Sequence, residues 1–312
     1  MDRLPLHRSP LDESDARATR RLRASGHLVR VGYGITTPTD AYRDASEATR
    51  HRARVDAVVS RSKPGLIVSH ESAVVMHELP WFGPLPERVV LTDPGRDRAQ
   101  RLRFSDKVPA RGRAVRTVTI DGVETTDLVE TAVDIALRSD RGHAIVVLDE
   151  VLRRGVPRDR LLEELSRRPT RRGTARALRL LGVADDRTES AGESLTNLVV
   201  HDLGLPEPVL QHEFRVRGHL VARVDFWFPE QGVVIEFDGL AKYRDRTLRG
   251  ARSAEDVVVD EKLREDSLRA LPHVHGIGRV IWRDVLPGGA APTAFARAGL
   301  PVPPAVRRTP SW

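Results

Sequence analysis

Cysteine is absent from all 312 residues. That excludes disulfides, thiolate-ligated zinc and thiol catalysis, and it accords with a reducing cytoplasm. No stretch approaches the roughly 18–20 consecutive apolar residues that a membrane-spanning helix needs. The opening, MDRLPLHRSPLDESD, lacks the apolar core of a secretory signal, so the expected location is cytoplasmic with no membrane partner. No G-x-x-x-x-G-K-S/T, G-x-S-x-G or H-E-x-x-H occurs, which removes the phosphate-loop, nucleophile-elbow and zincin readings. Lysine is nearly absent too. It stands only at 63, 107, 242 and 262, so 47 of the 51 basic side chains are arginine.

What is present is positive charge, net +7 with a pI near 10.4. Such a balance suits a polyanionic partner, and arginine is the better bidentate clamp for phosphate. A GC-rich coding bias accounts for the same skew, and both origins stay open. At this length two or three domains are expected.

Hydropathy patterning divides the chain into four. In residues 1–62 a basic helix over 13–25 runs into HLVRVGYGIT, which partly alternates like a β-ribbon. That is a partial winged-helix pattern, with Arg17, Arg20, Arg21 and Arg23 as candidate DNA contacts. A second helix is expected over 41–62. Residues 63–187 read as an α/β middle domain. Its expected parts are an apolar helix in LIVSHESAVVMHELP, strands in ERVVLTDPG and AVRTVTIDGVETTD, and an arginine-rich loop between those strands. Amphipathic helices follow in DLVETAVDIALRS, HAIVVLDEVLRRG and RDRLLEELSRR. Residues 188–286 read as helix, three strands, helix, strand. The Pro/Ala-rich stretch 287–312 is expected to be a flexible tail.

The chemistry concentrates in residues 188–286. In RVDFWFPE the alternation puts Val224, Phe226 and Phe228 on one face and Asp225 with Trp227 on the other. In VVIEFDG a near-solid apolar run ends in Glu236 and Asp238, which share a face while Phe237 points away. Neighbouring strands would bring Asp225 to Glu236. Clustered carboxylates repel unless a cation neutralises them, and an oxygen-only ligand set suits Mg²⁺ or Mn²⁺. Such an ion would activate a water beside a scissile phosphate, with Lys242 positioned to orient it. The competing structural reading makes Asp238-Gly239 a turn and Asp225 a turn cap. Glu193 is a metal ligand on one reading. On the other it is the third position of a capping box opened by Ser190. In DEKLREDSLRAL, Leu263, Leu268 and Leu271 are expected to face the core. Lys262, Arg264 and Arg269 are expected on a solvated face, with Arg264 a possible contact to the DNA backbone.

GESLTNLVVHDLGLPEPVLQHEF, RVDFWFPEQGVVIEFDGLAKY, DEKLREDSLRAL and RVIWRD together resemble the small endonuclease-like domains related to the very-short-patch-repair (Vsr) endonucleases, of the PD-(D/E)xK superfamily. Upstream, IVSHESAVVMHELP and TTDLVETAVDIAL resemble the AbiEi-type antitoxins of type IV toxin–antitoxin systems. The resemblance implies a winged-helix N-terminus, an α/β middle domain and a restriction-endonuclease-like C-terminal domain. It implies Asp225 and Glu236 as metal-binding acids, Glu193 as a helper, Mg²⁺ as cofactor, and DNA as substrate; Asp238 joins the candidate metal ligands only through its shared strand face with Glu236. A cognate toxin or its operator is a further implied partner. The sequence departs from the pattern in three places. Asp238 stands where a lysine two residues after the glutamate is usual, the catalytic histidines of Vsr-type sites have no counterpart near Lys242-Tyr243, and only one clear helix precedes the ribbon. Three readings therefore compete: a metal-dependent DNA endonuclease, a non-catalytic DNA-binding regulator or antitoxin that keeps a degenerate nuclease domain, and a protein-interaction module whose arginines are genomic.

Overall fold

The computed structural model describes residues 3–8, 13–170, 172–239 and 263–311. It has mixed α/β architecture and separates into two compact units, Met1–Ser139 with Arg154–Leu178, and Asp140–Arg153 with Arg179–Trp312. None of the described helices is long and apolar enough to cross a membrane.

In the first unit, helix Glu13–Ala24 leads into the hairpin Leu28–Gly32 and Ile35–Pro38, joined by His7–Arg8 as a third strand. Val31, Ile35 and Ala57 form its small core. The expected 41–62 helix is two helices, Thr39–Asp44 and Glu47–Val59, because Ser46 caps the second through its hydroxyl to the Thr49 N–H, 3.1 Å.

A six-stranded sheet follows, in the order Gln100–Arg101, Ser105–Pro109, Val89–Asp93, Ile67–Val68, Val123–Thr126, Thr117–Ile120. Three local expectations change here. Ile67–Val68 is a strand, and the helix begins only at His70. The arginine-rich loop contains two strands, hidden from periodicity because Gln100–Arg101 is a two-residue edge strand and Ser105–Pro109 beside it is mostly half-buried. AVRTVTIDGVETTD is a hairpin that turns at Asp121-Gly122.

Helix Leu128–Arg138 is capped by Asp127, whose carboxylate accepts the Glu130 N–H at 2.7 Å. Beneath it lies a buried ionic network. Arg168 meets Glu130 at 2.9 Å, Asp134 at 2.8 Å and Glu164 at 2.9 Å. Arg113 adds a 2.6 Å contact to Glu130, and Arg116 a 3.1 Å contact to Glu164.

The second unit begins with helix Arg141–Arg153, which packs on helix Ala191–Asp202. The division into units therefore falls at neither 62 nor 187. Helix Arg141–Arg153, with its buried apolar run Ala144–Leu148, packs against a helix beyond residue 187. Asp149 in that helix is buried and accepts from the Asp185 N–H, 2.9 Å, and from the Thr188 hydroxyl, 2.8 Å. Burial outweighs these bonds and pushes its carboxyl up to about 7. A folded-state pKa raised above the unfolded value means that stability falls as pH rises between about 4 and about 7, by at most about 1.4 kcal/mol per pH unit. Asp149→Asn should remove that slope. Urea midpoints at pH 5, 6 and 7 read it, and identical slopes in both proteins would refute the assignment.

The core of this unit is a four-stranded sheet in the order Val209–Val216, His219–Phe228, Val233–Phe237, Gly276–Val280. The first three strands form an antiparallel meander, and the last pairs parallel to the third. Helix Ala191–Asp202 meets one face so closely that a Cβ at Gly192 would lie 2.0 Å from the Phe237 ring. The stretch expected to be a flexible tail contains a packed helix. Ala291–Ala298 is helical with Pro292 in its first turn, where a missing N–H costs nothing, and Phe295 is fully buried.

Candidate functional site

The acidic centre lies on the other face of that sheet. Strands His219–Phe228 and Val233–Phe237 pair Phe226 with Ile235 and Trp227 with Val234. Continued by one residue, the same register sets Asp225 opposite Glu236, and opposed residues share a face. The parallel fourth strand pairs Arg279 with Glu236, which adds an arginine to the row. Residues 263–269 are helical, and Leu268 and Leu271 lie in the hydrophobic cluster with Trp227 and Val234. Leu263, expected in the core, is 59% exposed, while Arg264 turns onto the sheet.

Arg264 is therefore not on a solvated face. Its two terminal nitrogens grip the two oxygens of Glu236 at 2.8 and 3.0 Å, a fork-to-fork ion pair. Arg279 lies 3.8 Å from Glu236 and 3.9 Å from Asp238, and pairs with Glu265 at 3.0 Å. The Asp225 carboxylate accepts the Phe237 N–H at 2.8 Å. Glu236 is buried at the mouth of this arrangement, so its charge needs a partner, and arginine supplies it.

Glu193 takes the capping role. One carboxylate oxygen accepts the Ser190 hydroxyl at 2.7 Å; the other accepts the Glu189 N–H at 2.9 Å and the Gln211 amide at 2.8 Å. The Ser190 hydroxyl in turn accepts the Glu193 N–H. Lys242 and Lys262 lie outside the described residues. Asp225, Glu236 and Asp238 are thus brought together with Arg264. Arg17, Arg20 and Arg21 are exposed on helix Glu13–Ala24, with Arg23 half-buried, and belong to the first unit.

Mg²⁺ and Mn²⁺ ask for about six oxygen ligands in near-octahedral array. Here both oxygens of Glu236 are committed to a guanidinium, and among the described residues no three acidic or histidine side chains converge as a metal site. The acids as arranged do not fit a divalent ion. The feature missed in the sequence is Arg279. Its alignment with Glu236 depends on the register of a parallel pair about 40 residues apart, which local periodicity does not encode.

No family model matches the chain. Two uncharacterized proteins of Mycobacterium tuberculosis, MT2308 from strain CDC 1551 / Oshkosh and Rv2248 from strain H37Rv, are each 34% identical over 164 residues. The match covers 48% of this chain and 60% of each relative, so the chain spans about three-fifths of their length. The crystal structure of the RV2827C protein from Mycobacterium tuberculosis is similar at a TM-score of 0.35 with 19% identity, over 59% of this chain and 69% of that one.

Proposed function

We propose that this chain is a non-catalytic DNA-binding protein of the regulator or antitoxin kind, built with a restriction-endonuclease-like, Vsr-like domain as its second unit. The observation that carries the reading is the fork-to-fork pair of Arg264 on Glu236. A guanidinium neutralises the central acid from within the chain. The helix, the meander and the parallel fourth strand follow the order of the nuclease core, which supports a nucleic-acid-directed origin for the domain. Exposed Arg17, Arg20 and Arg21 ahead of a β-hairpin are suited to phosphate contacts, and a cognate toxin and its operator are the partners that the antitoxin reading adds.

A second reading, a Mg²⁺- or Mn²⁺-dependent DNA endonuclease, is favoured by the register that sets Asp225 opposite Glu236 with Asp238 on the same face. It requires Arg264 to leave Glu236 first.

One experiment separates them. The full chain is incubated with duplex DNA in EDTA for gel shifts, and with supercoiled plasmid in Mg²⁺ or Mn²⁺ beside Asp225→Ala and Glu236→Ala. The first reading expects shifts in EDTA that weaken on Arg17→Gln/Arg20→Gln/Arg21→Gln, with a salt slope lower by about one per lost phosphate contact, and no nicking above the two acid variants. Metal-dependent nicking by the parent protein that both acid variants lack would replace it with the second.

A further inference from the structure

The first unit contains a cleft whose charge its own structure does not balance. It has a volume of about 1060 Å³ and lies between strands Gln100–Arg101 and Ser105–Pro109, the C-terminal end of helix Leu128–Arg138, residues 168–170, the turn at 172–173 and the start of helix Thr174–Val183. Nine arginine and lysine side chains line it against three aspartates.

Some of these cations are already paired: Arg101 lies 3.9 Å from Asp106. Arg113 and Arg168 are spent on Glu130, Glu164 and Asp134 in the buried network. Lys107, Arg111, Arg138 and Arg172 have no carboxylate within 4.0 Å among the described residues. Arg176 hydrogen-bonds the Leu137 carbonyl at 2.9 Å, while its Nε is buried without an acceptor. The negative end of helix Leu128–Arg138 accounts for Arg138 and Arg176. It does not account for Lys107, Arg111 or Arg172, which come from a strand, a loop and a turn.

The turn is held against the helix end by Gly173, where a Cβ would sit 2.4 Å from the Leu137 carbonyl oxygen. Arg172 and Arg176 are thereby fixed beside Arg138. At the cleft floor His70 adopts φ +53°, a conformation that non-glycine residues keep only where the surroundings impose it. Burial first, and then Arg138 against the opposing Glu71, with Arg168 and Arg113 adding, hold its imidazole down at about 3 although Asp134 is 3.5 Å away.

We propose that this cleft binds a phosphate ester, carried by a free nucleotide or by a nucleic-acid strand, with Lys107, Arg111, Arg138 and Arg172 as its anion-binding groups. Four uncompensated cations that converge from separate elements match a multiply charged ligand, and arginine forks match phosphate oxygens. The volume stands near the upper end of the roughly 300–1000 Å³ of small-molecule sites, enough for a nucleotide. The site shares no residue with the acidic centre and is independent of the reading given above.

The test uses the full chain in EDTA, with a fluorescein-labelled ten-nucleotide single-stranded DNA and with ATP as probes. Lys107→Gln/Arg172→Gln removes two cations that hold no ion pair among the described residues, and thermal unfolding verifies that the fold survives. Fluorescence polarisation should show oligonucleotide affinity falling on the order of tenfold and the salt slope falling by about 1.4, at about 0.7 per single-strand phosphate. Loss confined to the oligonucleotide identifies a strand as the ligand. ATP binding that competes with the oligonucleotide and is lost in the variant identifies a nucleotide. Parent-like affinity and salt slope in the variant, together with no ATP binding by the parent, would overturn the proposal; so would a loss seen only with Arg17→Gln/Arg20→Gln/Arg21→Gln.

Discussion

Arg168→Ala is expected to destabilise the first unit by about 3–5 kcal/mol, the usual cost of removing one partner from a buried ion pair. The side chain is 6% exposed and touches three carboxylates. Its loss leaves Glu130 with Arg113 and leaves Asp134 beside a neutral His70. Burial already raises the Asp134 and Glu164 carboxyls despite the arginine. Without it they rise further, above their unfolded values, so the variant loses stability as pH rises. The cost should accordingly be smaller at pH 5 than at pH 8. Urea unfolding at the two pH values measures this. A loss under about 1 kcal/mol at pH 8 would show that Arg113 and Arg116 suffice. Arg168→Lys keeps the charge without the fork and should fall between the two.

Arg264→Ala is expected to convert the acidic centre from metal-indifferent to metal-responsive. With the guanidinium gone, Glu236 keeps only the distant Arg279 among the contacts described, and the folded state is weakened. Mn²⁺ should then restore stability. At a hundred times its dissociation constant a ligand that binds only the folded state adds about 2.7 kcal/mol. Unfolding of parent and variant with 5 mM Mn²⁺ or with EDTA reads the difference. Equal Mn²⁺ stabilisation of both proteins would mean that Arg264 and the ion do not compete for Glu236.

Both predictions rest on side chains whose partners are far off in sequence, and that is where sequence reading was weakest. Alternation in RVDFWFPE and VVIEFDG sufficed to put Asp225 and Glu236 on one face, and Ser190-Ala-Gly-Glu193 was legible as a capping box. Elements with a strong apolar rhythm, such as Leu128–Arg138, were equally plain. Gln100–Arg101 and Ser105–Pro109 were not, because a two-residue edge strand and the polar strand SDKVP beside it lack apolar alternation. The helix Ala291–Ala298 was masked by composition, since Pro292 at a helix start and Pro in a loose tail look alike. Arg264 looked like a solvent-facing helix residue because nothing within its own helix requires Glu236. The cleft of the first unit was invisible for the same reason, its cations being scattered from residue 107 to 176.

The parallel pairing of Val233–Phe237 with Gly276–Val280 also sets an order of assembly. The meander needs only short turns, so its three strands can register early and bring the two acids together before Arg264 and Arg279 reach Glu236. Closing about 40 residues to add the last strand is slower, since the loop entropy is spent before any contact repays it. During that interval the newly made protein carries a bare pair of carboxylates at a sheet edge. Low pH or divalent ions, which neutralise the acids that Arg264 and Arg279 dock onto, should therefore slow the final docking step.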